Sequence, residues 1–93
     1  MMANFRVYGF ETCPFCKRAL NMLLLDGATI DYVKLPTLEE RTAWMDERGF
    51  VDGDRTFPKV YLVDKEQEVL IGGSDALELY LHTQRAIDEQ IAA

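Results

Sequence analysis

One strand–helix–strand unit at the start of the chain limits the possible folds more than any other feature. "FRVYGF" (Phe5 to Phe10) is short, β-branched and aromatic, which predicts a buried strand over Phe5 to Tyr8, ending near Gly9. In "CPFCKRALNMLLLDG", Ala19, Leu20, Leu23 and Leu24 recur at helical spacing. Pro14 suits a first helical turn and Gly27 a helix end, so the spacing predicts a helix from Pro14 to about Asp26. "TIDYVKLP" (Thr29 to Pro36) then predicts a second strand, with Val33 and Leu35 on one face and Tyr32 and Lys34 on the other. Two strands joined through a helix lie parallel, with a right-handed crossover.

The rest of the chain extends that unit. Thr37 and Glu40 form a capping box for a helix running to about Arg48, with Leu38, Trp44 and Met45 on its inner side. Lys59 to Val63 and Glu68 to Ile71 predict two strands joined by a tight hairpin at Asp64 to Glu66. A closing helix starts near Ser74, and Leu77, Tyr80, Leu81, Gln84, Ile87 and Ile91 trace its apolar stripe. The final "DEQIAA" is expected to fray. The order β-α-β-α-β-β-α implies an α/β fold, a mixed four-stranded sheet with helices on both faces. Tyr8, Trp44 and Tyr80 are expected in its core, although Tyr8 also stands close to the cysteines at the end of the first strand.

Composition excludes several functions. The 93 residues suit one domain with one modest core. A formal charge of −6 argues against nucleic acid and against anionic membrane surfaces as partners. No apolar run is long enough for a membrane span. "MMANFRVYGF" lacks the cationic and apolar parts of a secretion signal, so a reducing, cytoplasmic location is expected.

Cys13 and Cys16 are the only cysteines, two residues apart at the mouth of the first helix. Structural zinc generally takes four Cys or His ligands, and this chain adds only His82, far along the last helix. No metal is therefore expected within one chain, although two chains and outside thiols would supply four thiolates for an iron–sulfur cluster. As a structural staple the pair closes a very short loop and removes little unfolded-state entropy. As a reactive pair it is well placed. Unpaired N–H groups and the positive end of the helix dipole favour the Cys13 thiolate, which is the nucleophilic form. Lys17 and Arg18 either add positive potential or form a solvated face. Cys16, one turn further in on the same face, is less exposed and placed to resolve a mixed disulfide on Cys13. Phe15 projects beside the pair as a substrate contact.

C-x-x-C beside a βαβ pattern suggests a thioredoxin-like fold. "TCPFC" resembles the Cys-Pro-Tyr/Phe-Cys site of dithiol glutaredoxins, "TFP" (Thr56 to Pro58) their Thr-Val-Pro segment, and "IGGSDAL" (Ile71 to Leu77) their Gly-Gly-x-Asp glutathione motif. The three occur in order, and the resemblance identifies residues 1–93 as a single glutaredoxin domain. It implies a glutathione-dependent thiol–disulfide oxidoreductase, monomeric, with no tightly bound cofactor and glutathione as cosubstrate. Its clients would be protein disulfides and glutathione mixed disulfides, ribonucleotide reductase among them. Cys13 and Cys16 would be catalytic. Glutathione would meet Cys13, Phe15, Arg55, Thr56, Phe57, Pro58, Gly73, Ser74 and Asp75. Pro58 would be cis, presenting the Phe57 backbone; the Ser74 and Asp75 N–H groups would take the γ-glutamyl carboxylate, and the Asp75 side chain its ammonium.

Three positions depart from the pattern. Phe10 stands where many relatives have Lys, Ala76 where a second acid often follows Asp75, and Phe57 where Val is usual. Arg55 and Lys17 are candidates to replace the missing charge. Two alternatives stay open: a redoxin served by thioredoxin reductase, and a dimer carrying a [2Fe-2S] cluster.

Overall fold

The computed structural model describes residues 3–92. Seven elements appear in the expected order: β1 (Asn4–Gly9), α1 (Pro14–Leu25), β2 (Thr29–Lys34), α2 (Leu38–Arg48), β3 (Lys59–Asp64), β4 (Gln67–Gly72) and α3 (Ser74–Ala92). The strand order is β2-β1-β3-β4. β1 pairs parallel with β2 and antiparallel with β3, and β3 pairs antiparallel with β4. Leu35 adds a bond from its N–H to the Gly9 carbonyl, and Pro36, with no N–H, ends the pairing.

β1 is the centre of the sheet because it is apolar on both faces. Phe5 and Val7 enter a cluster with Ala19, Leu23, Val60, Leu77 and Leu81, which places α1 and α3 on one face. Tyr8 points the other way, into a cluster with Trp44, Met45 and Tyr61, which places α2 there. Burying each large apolar side chain contributes roughly 1.5–3 kcal/mol. Tyr80 packs against the first cluster, while Val33 and Leu35 pack together against the second.

The helix ends follow their local signals. Thr37 Oγ1 accepts from the Glu40 N–H at 3.1 Å, and Gly49, with φ 75°, closes α2. The apolar periodicity overstates burial at four positions. Leu24 lies on the flank of the Cys16–Ala19–Leu23 stripe and is exposed. Leu38 is exposed because the first turn of α2 overhangs an open groove rather than the sheet. Ile87 and Ile91 are exposed because α3 continues past its buried residues Leu77 and Leu81. That helix persists through Asp88 to Ile91, where fraying is expected from sequence; Ala93 lies outside the described residues. Met1 and Met2, on which the leader-free reading and the domain's start partly rest, also lie outside them.

The far end of α2 is tied to the sheet by a polar cage. Glu68 accepts from the Tyr8 hydroxyl at 2.6 Å and from Arg6 and Arg48, each at 3.1 Å. Arg48 also donates to the Tyr8 oxygen at 3.0 Å, and its guanidinium lies 4.9 Å from the Tyr8 and Trp44 ring centres. Burial alone would raise the Glu68 carboxyl pKa. The hydrogen bonds from Tyr8 and Arg6 and the charge of Arg48 together outweigh burial and hold it below its ordinary value. The carboxyl thus titrates lower when folded than when unfolded. Its contribution is complete above the unfolded value of about 4.3 and is lost as pH falls through the folded value. Glu68→Gln is expected to lower stability at neutral pH by about 1–3 kcal/mol. The difference should shrink in acid, which urea midpoints measured across both ranges will check.

Candidate active site

The site begins at the junction of β1 and α1. Cys13 has extended backbone angles, φ −91° and ψ 109°, and is the N-cap of α1. Its N–H closes a turn onto the Phe10 carbonyl at 3.2 Å, and its own carbonyl accepts the first helical bond, from Lys17, at 3.1 Å. Its sulfur takes the role that a Ser or Asp oxygen usually fills, accepting from the Cys16 N–H at 3.2 Å. Pro14 occupies the first helical position, where no N–H is needed. The two sulfurs are joined in a disulfide, with Cα atoms 5.2 Å apart. Cys16 is fully buried and Cys13 is 4% exposed, so the order of exposure expected from sequence holds.

Gly9 makes room for the inner cysteine. A Cβ on it would fall 2.6 Å from the Cys16 sulfur. No sequence signal beyond a small residue at the strand's end marks this requirement.

A second loop meets the first. The Phe57–Pro58 peptide is cis, as the resemblance implies, and the Cys13 sulfur lies 3.8 Å from the Phe57 carbonyl oxygen. Pro58 is buried, and the carbonyl of Pro58 is in van der Waals range of a Cβ built on Gly73, so the start of α3 abuts this loop. Lys59 supports the loop from behind. Its Nζ donates to Thr56 Oγ1 at 3.4 Å and sits 4.9 Å from the Phe50 ring centre. Burial lowers the Lys59 pKa, partly offset by the charge of Asp54.

Two grooves open on either side of Phe57. One, of about 460 Å³, is lined by Phe15, Thr56, Phe57, Pro58, Gly73, Ser74, Asp75 and Ala76. It unites seven of the nine residues expected from sequence to meet glutathione. The other, of about 640 Å³, runs between α2 and the Phe10–Phe15 turn and reaches Cys13, Arg41, Arg55 and Thr56. Phe15 is 60% exposed and borders both. Tyr8 and Trp44 are core residues, with ring centres 4.6 Å apart.

The charged residues hold surprises. Arg55 lines the larger groove, but it is engaged by Asp46 at 2.9 Å and by the Phe50 carbonyl at 3.0 Å. Arg41, which sequence reasoning missed, stacks on Phe10 with 4.1 Å from guanidinium carbon to ring centre. It donates to the Leu35 carbonyl at 2.8 Å and, among the described residues, has no acidic partner. A cation from α2 thus covers the aromatic ring at position 10. Arg18 is not merely a solvated residue on α1. It crosses to α3, donating to Ser74 Oγ at 3.1 Å, to Asp75 at 3.0 Å and to Glu78. Among the described residues no cluster of three His, Cys, Asp or Glu side chains is arranged to hold a metal ion, and no helix is long and apolar enough to cross a membrane.

Comparison with known proteins agrees with this geometry. A family model described as Glutaredoxin matches residues 5–67. The chain is 34% identical over 76 residues to glutaredoxin 3 of Escherichia coli K12, covering 82% of this chain and 83% of that protein. Among solved structures, glutaredoxin 1 of Francisella tularensis superposes with a TM-score of 0.73 at 19% identity, covering 92% of this chain and 98% of that one, which is a likeness of fold. The solution structure of a Brucella melitensis glutaredoxin gives 0.63 at 27% identity, covering 95% and 87%. The expected thioredoxin-like α/β fold is therefore present.

Gly9→Ala is expected to destabilise the oxidised protein by about 1–3 kcal/mol, because the added methyl group meets a fully buried sulfur. Denaturant titration measures this, and a near-neutral result would show that the Cys16 sulfur has room to retreat.

Proposed function

Because the chain belongs to the glutaredoxin family and is a thiol–disulfide oxidoreductase, we propose that glutathione is its reductant and that the groove beside Phe57 is where glutathione docks. The observation that carries this reading is the convergence on one groove of Phe15, the Thr56–Pro58 loop and the start of α3, with the Cys13 sulfur at the edge of the Phe57 carbonyl. The Phe57 backbone pairs with the cysteinyl part of glutathione like an added strand. The Ser74 and Asp75 N–H groups take the γ-glutamyl carboxylate, and Asp75 takes its ammonium. Arg41 takes the glycyl carboxylate in the neighbouring groove, with Arg55 shaping that wall.

The chemistry follows from the N-cap. With the disulfide reduced, negative charge on Cys13 is stabilised by the Cys16 N–H and by the dipole of α1. On a glutathione mixed disulfide, the Cys13 thiolate attacks the glutathionyl sulfur. A Cys13–glutathione disulfide forms, and the client leaves as a thiolate that takes a proton from water. A second glutathione thiolate then attacks the bound glutathionyl sulfur, releasing oxidised glutathione and restoring the Cys13 thiolate. On a protein disulfide, Cys13 forms the mixed disulfide with the client. Cys16 attacks the Cys13 sulfur and releases the reduced client, and two glutathiones reduce the resulting Cys13–Cys16 disulfide. On a mixed disulfide one free glutathione is consumed, the other half of the oxidised glutathione coming from the client; on a protein disulfide the two electrons come from two glutathione thiols.

We extend the reading to the molecule's setting: one glutaredoxin domain over residues 1–93, monomeric, in a reducing cytoplasm. Ribonucleotide reductase is among its protein clients on family resemblance alone.

A coupled assay with glutathione, glutathione reductase and NADPH tests the proposal. Cys13→Ser is expected to abolish turnover of a glutathione mixed disulfide. Cys16→Ser is expected to keep that turnover but lose reduction of protein disulfides. Arg41→Gln is expected to raise KM for glutathione by roughly five-fold, the worth of one partly exposed ion pair, with kcat little changed. A wild-type protein that ignores glutathione but accepts electrons from thioredoxin reductase would overturn the proposal.

A further inference from the structure

The first turns of α3 pose an electrostatic problem. Leu77 makes the first helical bond, to the Gly73 carbonyl at 3.0 Å, so the N–H groups of Ser74, Asp75 and Ala76 precede the helical ladder. Those donors suit a carboxylate, yet Asp75 and Glu78 set two negative charges beside them. Left alone, the pair would repel the anion that the helix end attracts.

Arg18 answers both charges from another helix. One of its nitrogens bonds Ser74 Oγ and Asp75, and the other bonds Glu78. The Asp75 and Glu78 side chains are 96% and 63% exposed, so these pairs contribute little to stability. Their effect is local. The trio carries one net negative charge instead of two, within a Debye length (~8 Å) of the open N–H groups. Because Ser74 Oγ accepts from Arg18, the Ser74 O–H is left to donate. Arg18 also stands two residues beyond Cys16, so the same clamp sets α1, which carries the dithiol, against the start of α3.

We infer that Arg18 is a positioning residue for the γ-glutamyl end of glutathione: its clamp on Ser74, Asp75 and Glu78 offsets half of the acidic charge at the start of α3 and registers that helix against the dithiol. The inference rests on the glutathione reading above and assigns a role to a residue that does not itself touch the substrate.

The experiment measures single-turnover rates of the reduced protein with oxidised glutathione and with 2-hydroxyethyl disulfide, which has no γ-glutamyl group. The ratio of the two rates is the readout. Arg18→Gln is expected to lower that ratio about five-fold, and Arg18→Gln with Glu78→Gln to restore most of it. Glu78→Gln alone, which keeps the clamp on Asp75, is expected to raise the ratio above wild type, and it remains informative if Arg18→Gln fails to fold. Equal losses on both disulfides, or an unchanged ratio in all three variants, would overturn the role of Arg18. A wild-type ratio showing no preference for oxidised glutathione would instead overturn the glutathione reading itself, and this inference with it.

Discussion

The contact on which the structure turns is the 3.2 Å bond from the Cys16 N–H to the Cys13 sulfur. It is at once a helix cap and an active-site interaction. A helix must satisfy its first N–H groups with something, and an anion satisfies them best. Placing a cysteine at the N-cap makes the thiolate the preferred cap, so the stability of α1 and the reactivity of Cys13 draw on the same donors. Proline at the next position removes a donor that would otherwise need a partner. The two sulfurs are then separated by one helical turn.

The rest of the fold holds that turn in place. β1 is central in the sheet and apolar on both faces, so its end, and hence Cys13, is fixed from both sides. Gly9 lets the Cys16 sulfur settle against the strand. α2 lies alone on its face and is held there by the Tyr8–Trp44–Tyr61 aromatic cluster and by Arg48 gripping Glu68. That anchoring matters because α2 carries Arg41, the groove cation without an acidic partner among the described residues. A net charge of −6 over the whole chain hides a site whose two grooves are each flanked by arginine.

Local signals were legible in the sequence, and long-range ones were not. Caps at Thr37 and Gly49, and Pro14 at the first helical position, depend on neighbours a few residues away and reappear where expected. Helical periodicity located the faces of α1, α2 and α3. It could not say where the sheet beneath them stops, and so Leu38, Ile87 and Ile91 are exposed. The cis Phe57–Pro58 bond was available only through family resemblance, since a trans proline at a strand start fits the pattern equally well. Arg41 on Phe10 and Arg18 on Asp75 arise from tertiary packing, the latter between residues 57 positions apart. The Phe at position 10, where many relatives have Lys, suggested a missing charge and pointed to Arg55 and Lys17; the structure shows Arg55 engaged by Asp46.

In the proposed complex a single glutathione, linked through Cys13, lies along the Phe57 backbone and ends at the start of α3. The most direct measurement traps that species in the Cys16→Ser variant with oxidised glutathione and records its amide nitrogen–proton NMR spectrum against the reduced form. The expected result is one glutathione per chain on Cys13, with the largest shifts at the Phe57, Ser74 and Asp75 amides. Shifts confined to the Cys13 turn, with the start of α3 unmoved, would contradict the claim and leave Cys13 as a reactive thiol without a glutathione site.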